Sequence, residues 1–309
     1  MKILLFGPLP PRIGGVSKSV ETLMKALTAK GIYNSIILDF KTLKPLFKKY
    51  DIVHMHYSKR WKQVLGLILG KIVGKKTIMT LHGETFHGEN IDSKFTFYTY
   101  MAAKLTDGII FLNVAAEERY KKLFPTYCIL DSIFSEGMSV QDIPNKSYIQ
   151  RKDEKVYILV YAFDKIIKQS KDVYGADFIL ENINNFDDKY IIVLVDISQG
   201  YSNDVEKVKN NSLIYIDHEV DFMSLLLEID IYVRPTTTDG NSVALQEALL
   251  MGKKVLASDV ISRPEGAVTY QSENFDDFKY KLENLENNTG NFAPNSVDDY
   301  IDFCKKVLG

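Results

Sequence analysis

Asp239 and Glu247 stand eight residues apart in the segment 234–266, RPTTTDGNSVALQEALLMGKKVLASDVISRPEG. Glu247 has Leu245, Ala248 and Leu249 around it in an apolar helical pattern. A carboxylate there either faces solvent or is buried, and a buried one needs hydrogen-bond partners. Sugar or ribose hydroxyls are partners of the right kind. Before the helix lie Arg234, where an apolar run over 231–233 ends, and a polar loop over 236–240. The backbone N–H groups of Asn241, Ser242 and Val243 fall at the helix start, where unpaired donors and the positive dipole end favour phosphate oxygens. Gly252 is placed to close the helix.

Two sites in the first half offer related chemistry. Residues 6–23 read FGPLPPRIGGVSKSVETL, so Gly14 and Gly15 open a helix after a strand and a Pro-rich loop. Paired glycines make a tight turn or let the backbone approach a ligand, and the helix start suits an anionic group such as a diphosphate. The G-x-G-x-x-G dinucleotide fingerprint is absent, which argues against nicotinamide or flavin. His82, followed by Gly83 and Glu84, ends a strand over 77–81. It is either a satisfied loop histidine or a residue at the strand end where an α/β domain presents its site. His54 and His56 share one strand face by the two-residue period. A metal pair there would want a carboxylate or cysteine at supporting spacing, and none stands nearby; no metal site is expected.

These residues need elements to position them. The chain of 309 residues is long enough for two domains of about 150 residues each. Strands are expected over 2–6, 35–39, 52–56, 77–81, 108–112 and 127–130, with helices over 16–29, 59–73, 95–104 and 115–124 between them. Several strands are continuous runs of Ile, Val and Leu, as strands covered on both faces are. Residues 135–155 are polar and weakly periodic, and hold a linker at 146–155. The alternation then restarts, with strands over 156–162, 191–195, 213–216, 231–233, 255–258 and 268–270 and helices over 175–183, 221–228 and 242–251. The expected fold class is α/β: two Rossmann-like, doubly wound domains, 1–145 and 156–290, facing a central cleft, with a C-terminal helix in 291–309. Ligands of open parallel sheets bind at the carboxyl ends of the strands, so that cleft is the expected site.

Charge is uneven. Residues 1–150 carry 21 Lys and Arg against 12 Asp and Glu, a balance of +9; residues 151–309 carry 17 against 28, a balance of -11, and the two sum to -2. Residues 41–76 hold ten basic residues and one acid, Asp51, with Trp61, Val64, Leu65, Leu67, Ile68 and Leu69 interleaved. This is either a solvated basic face over a core helix or a patch for an anionic membrane surface. Nucleic acid is not expected, because the site is a cleft rather than a groove reader. No apolar run approaches the roughly 18 residues of a membrane-spanning helix. Residues 3–6 read as a first strand rather than a leader, and the two cysteines, Cys128 and Cys304, read as reduced thiols. The expected location is the cytoplasm, peripheral to the inner face of the plasma membrane.

The segment 234–266 resembles the signature of the retaining GT-B glycosyltransferases of family 4, a Glu-x7-Glu pattern followed by Ala, Gly and a buried strand. Here it reads Asp239-x7-Glu247, then Ala248, Gly252, Val255, Ser258-Asp259 and Arg263-Pro264-Glu265-Gly266. The first half agrees in GPLPP…GGV, in Asp51-Ile-Val-His54-Met-His56 and in Thr80-Leu-His82-Gly, so the likeness spans roughly residues 1–270. Bacterial surface-polysaccharide members are the most similar. The resemblance implies a nucleotide-diphosphate sugar, UDP- or GDP-linked, as donor and a glycan or lipid-linked acceptor, with transfer under retention. It implies that Glu247 holds the ribose hydroxyls and that Asp239 lies near the donor sugar. Gly240, Asn241, Ser242 and Val243 would receive the diphosphate. Gly14 and Gly15 would close on phosphates and acceptor, and His82 would sit beside the transferred sugar. No cofactor and no metal are implied, in keeping with the absence of a D-x-D motif.

One departure stands out. The family places an Arg and a Lys after the first strand of the second domain, as Gly-Arg…Lys-Gly, to neutralise the diphosphate. Residues 160–178 read VYAFDKIIKQSKDVYGADF, with no Gly-Arg and with Tyr174 before Gly175. Lys165, Lys168, Lys171, Arg234 and Arg263 are the available substitutes. The departure also leaves open an inactive GT-B binding subunit of a partner transferase. A sugar-nucleotide epimerase of the same fold is a further alternative.

Overall fold

The continuous apolar runs of the first half form a parallel sheet covered on both faces. In a computed structural model of the chain, which describes residues 1–10, 14–82, 93–124, 126–138, 143–208, 210–285 and 292–309, the residues cluster into two compact units. Unit 1 comprises Met1–Ser139, Gly240–Val243 and Pro294–Gly309; unit 2 comprises Val140–Asp239 and Ala244–Ala293. Gly83 and Glu84, residues 11–13 of the first loop and 139–142 of the polar stretch lie outside the described residues.

Unit 1 holds strands β1 (Lys2–Phe6), β2 (Tyr33–Ile37), β3 (Ile52–Met55), β4 (Lys76–Leu81), β5 (Gly108–Phe111) and β6 (Tyr127–Ile129). They pair in parallel in the order β2-β1-β3-β4-β5-β6. Helices α1 (Gly15–Ala29), α2 (Arg60–Ile72), α3 (Ser93–Leu105) and α4 (Val114–Tyr120) connect them. Alternation sends Leu4, Phe6, Val53, Met55, Met79 and Phe111 into one core, and Ile3, Leu5, Ile52, Ile78 and Ile110 into the other. On the first face α2 lies very close to the sheet. A side chain added at Gly66 would meet the Met55 sulfur at 2.3 Å, and one at Gly70 would meet Thr77 Cγ2 at 2.8 Å. Only glycine allows that approach, and it turns the opposite side of α2 to solvent.

The second face of this sheet is closed by α1 together with the C-terminal helix, α10 (Val297–Leu308). A capping box between Ser296 and Asp299 starts α10. Its buried side, Val297, Tyr300, Ile301, Phe303, Cys304 and Val307, packs with Val20, Leu23 and Leu27 of α1. The last helix therefore belongs to the first unit's core, although the whole of unit 2 separates the two in sequence. Cys128 and Cys304 are free thiols, and burial pushes both up to about 12.

Unit 2 repeats the plan. Its strands are β7 (Val156–Ala162), β10 (Tyr190–Asp196), β11 (Leu213–Ile216), β12 (Ile231–Arg234), β13 (Lys254–Ser258) and β14 (Ala267–Tyr270), in the parallel order β11-β10-β7-β12-β13-β14. Helices α5 (Ala176–Glu181), α6 (Ser202–Lys207), α7 (Phe222–Glu228), α8 (Val243–Leu250) and α9 (Phe275–Glu283) accompany it. A two-stranded ribbon, β8 (Ile167–Lys168) with β9 (Lys171–Asp172), is antiparallel, and its turn residues Gln169 and Ser170 take positive φ. This ribbon, α6 and α9 have no counterpart in the sequence-based elements. The ribbon strands are two residues long, and α6 (SNDVEK) has no apolar period to detect. In α9 the sequence does carry a signal: Asn274 caps the helix, with Phe275, Phe278 and Leu282 on one side.

Candidate active site

β12 delivers Arg234 to the carboxyl end of the second sheet, between β7 and β13. The Asp239 carboxylate accepts two hydrogen bonds from its guanidinium, from Nε at 3.0 Å and Nη2 at 2.9 Å. It accepts a third from Arg263 Nη1 at 2.6 Å. Arg263 in turn donates to the Ser258 carbonyl at 2.9 Å and to the Thr236 hydroxyl at 3.2 Å. All three charged residues are largely buried. Burial by itself would raise the Asp239 carboxyl, but Arg234, and after it Arg263, overcome that and bring it down to about 2. The same carboxylate raises Arg234 against the opposing effect of burial.

A turn in the segment that follows β7 braces this loop. The Thr237 N–H donates to the Val173 carbonyl at 3.1 Å, and its hydroxyl donates to the Asp172 carbonyl at 2.8 Å. Gly175 takes φ +70° at the start of α5, and a Cβ there would fall 1.8 Å from the Pro235 oxygen. Gly175→Ala is therefore expected to cost on the order of 2–4 kcal/mol, from positive-φ strain and a backbone clash together, read as a lower urea midpoint. A loss below about 0.5 kcal/mol would show that the turn yields instead.

The basic residues that could replace the missing Arg and Lys separate clearly. Lys165 bridges Asp177 at 2.8 Å and Asp204 at 2.7 Å, Lys171 pairs with Glu273, and Lys168 is exposed on β8. Arg234 and Arg263 are the two that meet at the 234–239 loop. Tyr174, at the position of the family's Lys, lies with its ring 5.6 Å from the Arg234 guanidinium. A cation supplied from β12 thus stands over the residue that replaces the cation expected after β7.

Glu247 is buried, with 5% exposure, which removes the alternative of a solvated helix face. Leu245, Ala248 and Leu249 carry α8 into the core formed with Tyr157, Leu159 and Val193. Tyr161, near the carboxyl end of β7, is raised by burial and, more weakly, by several charges including Glu247. Glu247 therefore lies toward the end of the sheet where Arg234 emerges.

Gly240–Val243 group with unit 1. There the Asn241 amide donates to the Leu112 carbonyl at 2.7 Å, and the Ser132 hydroxyl donates to the Asn241 carbonyl at 2.9 Å. Gly14 precedes α1 with φ 148°, open to glycine, and the Ser17 hydroxyl donates to its carbonyl at 2.8 Å. A Cβ on Gly15 would lie 3.4 Å from Val243 Cγ2.

His82 heads a chain of buried histidines in unit 1. His82 Nε2 and His56 Nδ1 are 3.1 Å apart, and His56 Nε2 and His54 Nδ1 are also 3.1 Å apart. His54 Nδ1 lies 2.9 Å from the Tyr300 hydroxyl of α10, and its Nε2 lies 2.8 Å from Thr80 Oγ1. Burial lowers all three rings; His82 falls to about 3, with the Arg60 charge as a second cause. All three are neutral at ordinary pH. The sequence showed His54 and His56 on one face, but Tyr300 was unforeseeable there. Its partner lies 246 residues away, and only the packing of α10 joins them.

No family model matches the chain. Among curated proteins it is similar to the UDP-Gal:alpha-D-GlcNAc-diphosphoundecaprenol alpha-1,3-galactosyltransferase of Escherichia coli, 25% identical over 278 residues, covering 82% of this chain and 69% of that protein. Among solved structures, Anabaena HepE in complex with UDP matches with a TM-score of 0.66 at 13% identity, over 93% of this chain and 90% of that one. Sucrose-phosphate synthase from Thermosynechococcus elongatus matches with a TM-score of 0.65 at 12% identity, over 93% and 90%. The two six-stranded parallel sheets and these likenesses together establish a GT-B fold built of two Rossmann-like domains.

Proposed function

We propose that this chain is a glycosyltransferase of the retaining family 4 type, moving a hexose from a nucleoside-diphosphate donor to a lipid-linked glycan in surface-polysaccharide assembly. The observation that carries the reading is Glu247. It is a buried carboxylate on α8, placed toward the end of the sheet where Arg234 emerges. Glu247 takes the ribose hydroxyls, and Arg234 neutralises the leaving diphosphate, where charge builds as the glycosidic bond breaks. Asp239, held by two arginines, acts chiefly by aiming Arg234. The similar galactosyltransferase uses a UDP-linked donor and a diphosphoundecaprenol-linked acceptor, and HepE binds UDP, which favours UDP over GDP here. UDP is expected to raise the melting temperature more than GDP does, and turnover with a UDP-hexose should survive EDTA. Indifference to both nucleotides would sink the reading, and activity lost to EDTA and restored by Mg²⁺ would sink its metal-free chemistry.

The missing Gly-Arg and Lys favour a second reading, a binding subunit without turnover. Hydrolysis across a panel of UDP- and GDP-sugars separates the two, since a pure binding subunit hydrolyses none.

The acceptor side of the proposal rests on α2. Trp61, Leu65 and Ile72 are exposed and, at about 100° per residue, fall within about 40° of one another, opposite Gly66 and Gly70. Lys62 and Lys71 flank this ridge, Phe47 is 77% exposed nearby in sequence, and Lys41, Lys44, Lys48 and Lys49 are exposed. An apolar ridge between lysines suits the headgroup boundary of an anionic bilayer. Arg60 is an exception within the basic stretch, because it is buried and donates to Gln63 at 2.9 Å. No helix among the described residues is long and apolar enough to cross a membrane. Changing Lys41, Lys44, Lys48 and Lys49 to glutamine should cost about 1 kcal/mol each in binding to phosphatidylglycerol vesicles, measured by sedimentation. Unchanged binding would remove this surface from the proposal.

A further inference from the structure

Two different parts of unit 2 hold the Arg234 guanidinium, one along its edge and one across its face. On the edge, Nε and Nη2 donate to the Asp239 carboxylate at 3.0 and 2.9 Å. Such a fork sets the group in its own plane but leaves it able to tilt out of the plane of the carboxylate. On the face lies the Tyr174 ring, its centroid 5.6 Å from the guanidinium carbon. The Arg234 side chain is 14% exposed, and a cation largely removed from water is drawn to an aromatic face more strongly than a solvated one. The ring thus limits the tilt that the carboxylate leaves open.

Tyr174 is itself held from behind. Its backbone N–H donates to the Asp172 carboxylate at 3.1 Å, and the Asp177 N–H at the start of α5 donates to the same carboxylate at 3.2 Å. The Tyr201 hydroxyl lies 2.8 and 2.9 Å from the two carboxylate oxygens and donates to them. Asp172 and Tyr201 are both buried, so these three donors replace the water that a carboxylate needs. Tyr201 is anchored in turn. Its N–H donates to Asp196 at the end of β10 at 2.8 Å, and Lys165, which bridges Asp177 and Asp204, lies with Nζ 5.0 Å from its ring. On the other side, the carbonyls of Asp172 and Val173 accept from Thr237 and tie the same turn to the loop that carries Asp239. Tyr174 stands between these two anchors.

We infer that Tyr174 is a positioning residue that holds the Arg234 guanidinium at one tilt, and that the buried Asp172–Tyr201 pair fixes Tyr174 in place to do so. Tyr174 acts through its ring, whereas Tyr201 acts through its hydroxyl. The hold on Arg234 exists with or without sugar transfer; that the aimed cation meets a diphosphate rests on the proposed function.

Hydrogen exchange at the Arg234 Nε–H, followed by ¹H–¹⁵N correlation in the uniformly labelled full chain, tests the hold without any ligand. Tyr174→Leu should speed it about tenfold, and Tyr174→Phe should leave it unchanged. The Arg263 Nε–H, which donates to the Ser258 carbonyl, is the control and should not change in either variant. Tyr201→Phe should also speed exchange at Arg234. Equal exchange in wild type and Tyr174→Leu overturns the inference, and equal exchange in Tyr201→Phe overturns the part given to Tyr201. Faster exchange at Arg234 and Arg263 alike marks a general loosening of unit 2 and overturns it as well. If Tyr174→Leu does not fold, nuclear Overhauser contacts between the Tyr174 ring and the Arg234 side chain in the wild type decide, and their absence overturns it. Calorimetric titration then addresses the ligand. Tyr174→Leu should bind UDP about threefold to tenfold more weakly with uridine affinity unchanged, because uridine has no diphosphate for Arg234 to meet. Faster exchange with unchanged UDP affinity would keep the hold by Tyr174 and instead remove Arg234 from the diphosphate.

Discussion

Glu247→Ala is expected to weaken UDP binding about a hundredfold while the unliganded protein stays folded. A charged acceptor holding two ribose hydroxyls contributes about 1.5–3 kcal/mol per hydrogen bond, and alanine keeps the helix. The effect should be large because Glu247 is buried on α8 and not dispersed in solvent. Calorimetric titration of UDP into both proteins checks it, with the free-protein melting temperature as the control for folding. A loss of less than about threefold would mean that the ribose is held elsewhere, and would undercut the central observation of the functional proposal.

Asp239→Asn should be costly in a different way. It leaves the Arg234 and Arg263 guanidinium groups, 14% and 2% exposed, facing one another without their shared carboxylate. Removing one member of a buried ionic cluster costs about 3–5 kcal/mol. The same group has a pH signature. Its carboxyl ordinarily titrates near 3.8 and is held at about 2 in the folded chain, so ionisation favours folding. That stabilisation is fully present above about pH 4 and is lost as pH falls toward 2. The stability gap between wild type and Asp239→Asn should therefore be constant from pH 7 to about 5 and narrow below about 4, as followed by urea unfolding. A gap that does not vary with pH would show that Asp239 is not ionised between its arginines. In either case UDP affinity should fall in the variant, because Arg234 loses the group that aims it.

Asp239 and Glu247 also show how far the one-dimensional pattern reaches. Their eight-residue spacing, the loop between them and the apolar period of α8 are local, and local spacing is visible in a sequence. What Glu247 faces is not local. Its neighbours Leu245, Ala248 and Leu249 fit a buried or a half-solvated helix equally well, and packing against Tyr157 and Val193 settles it as buried. The diphosphate clamp follows the same rule. Five basic residues were equivalent by position, and they became distinct only when Asp177, Asp204 and Glu273 claimed Lys165 and Lys171.

By itself, the sequence determined the two α/β units. Parallel strands buried on both faces must be written as continuous apolar runs, and helices as periodic ones, so each element announces itself within a few residues. It also determined the helix start after Arg234, the glycine pair at Gly14 and Gly15, and the placement of His82 at a strand end. Only the tertiary structure could return α10 to the first unit, set Tyr174 against Arg234 and join Tyr300 to His54. Those contacts reach across 60 residues of chain for Tyr174 and Arg234, 246 for Tyr300 and His54, and 268 for Lys30 and Asp298 of α10, and they depend on which helix face meets which sheet face. No periodicity encodes such a meeting. It arises when apolar surfaces close on one another and the polar groups trapped between them must find partners.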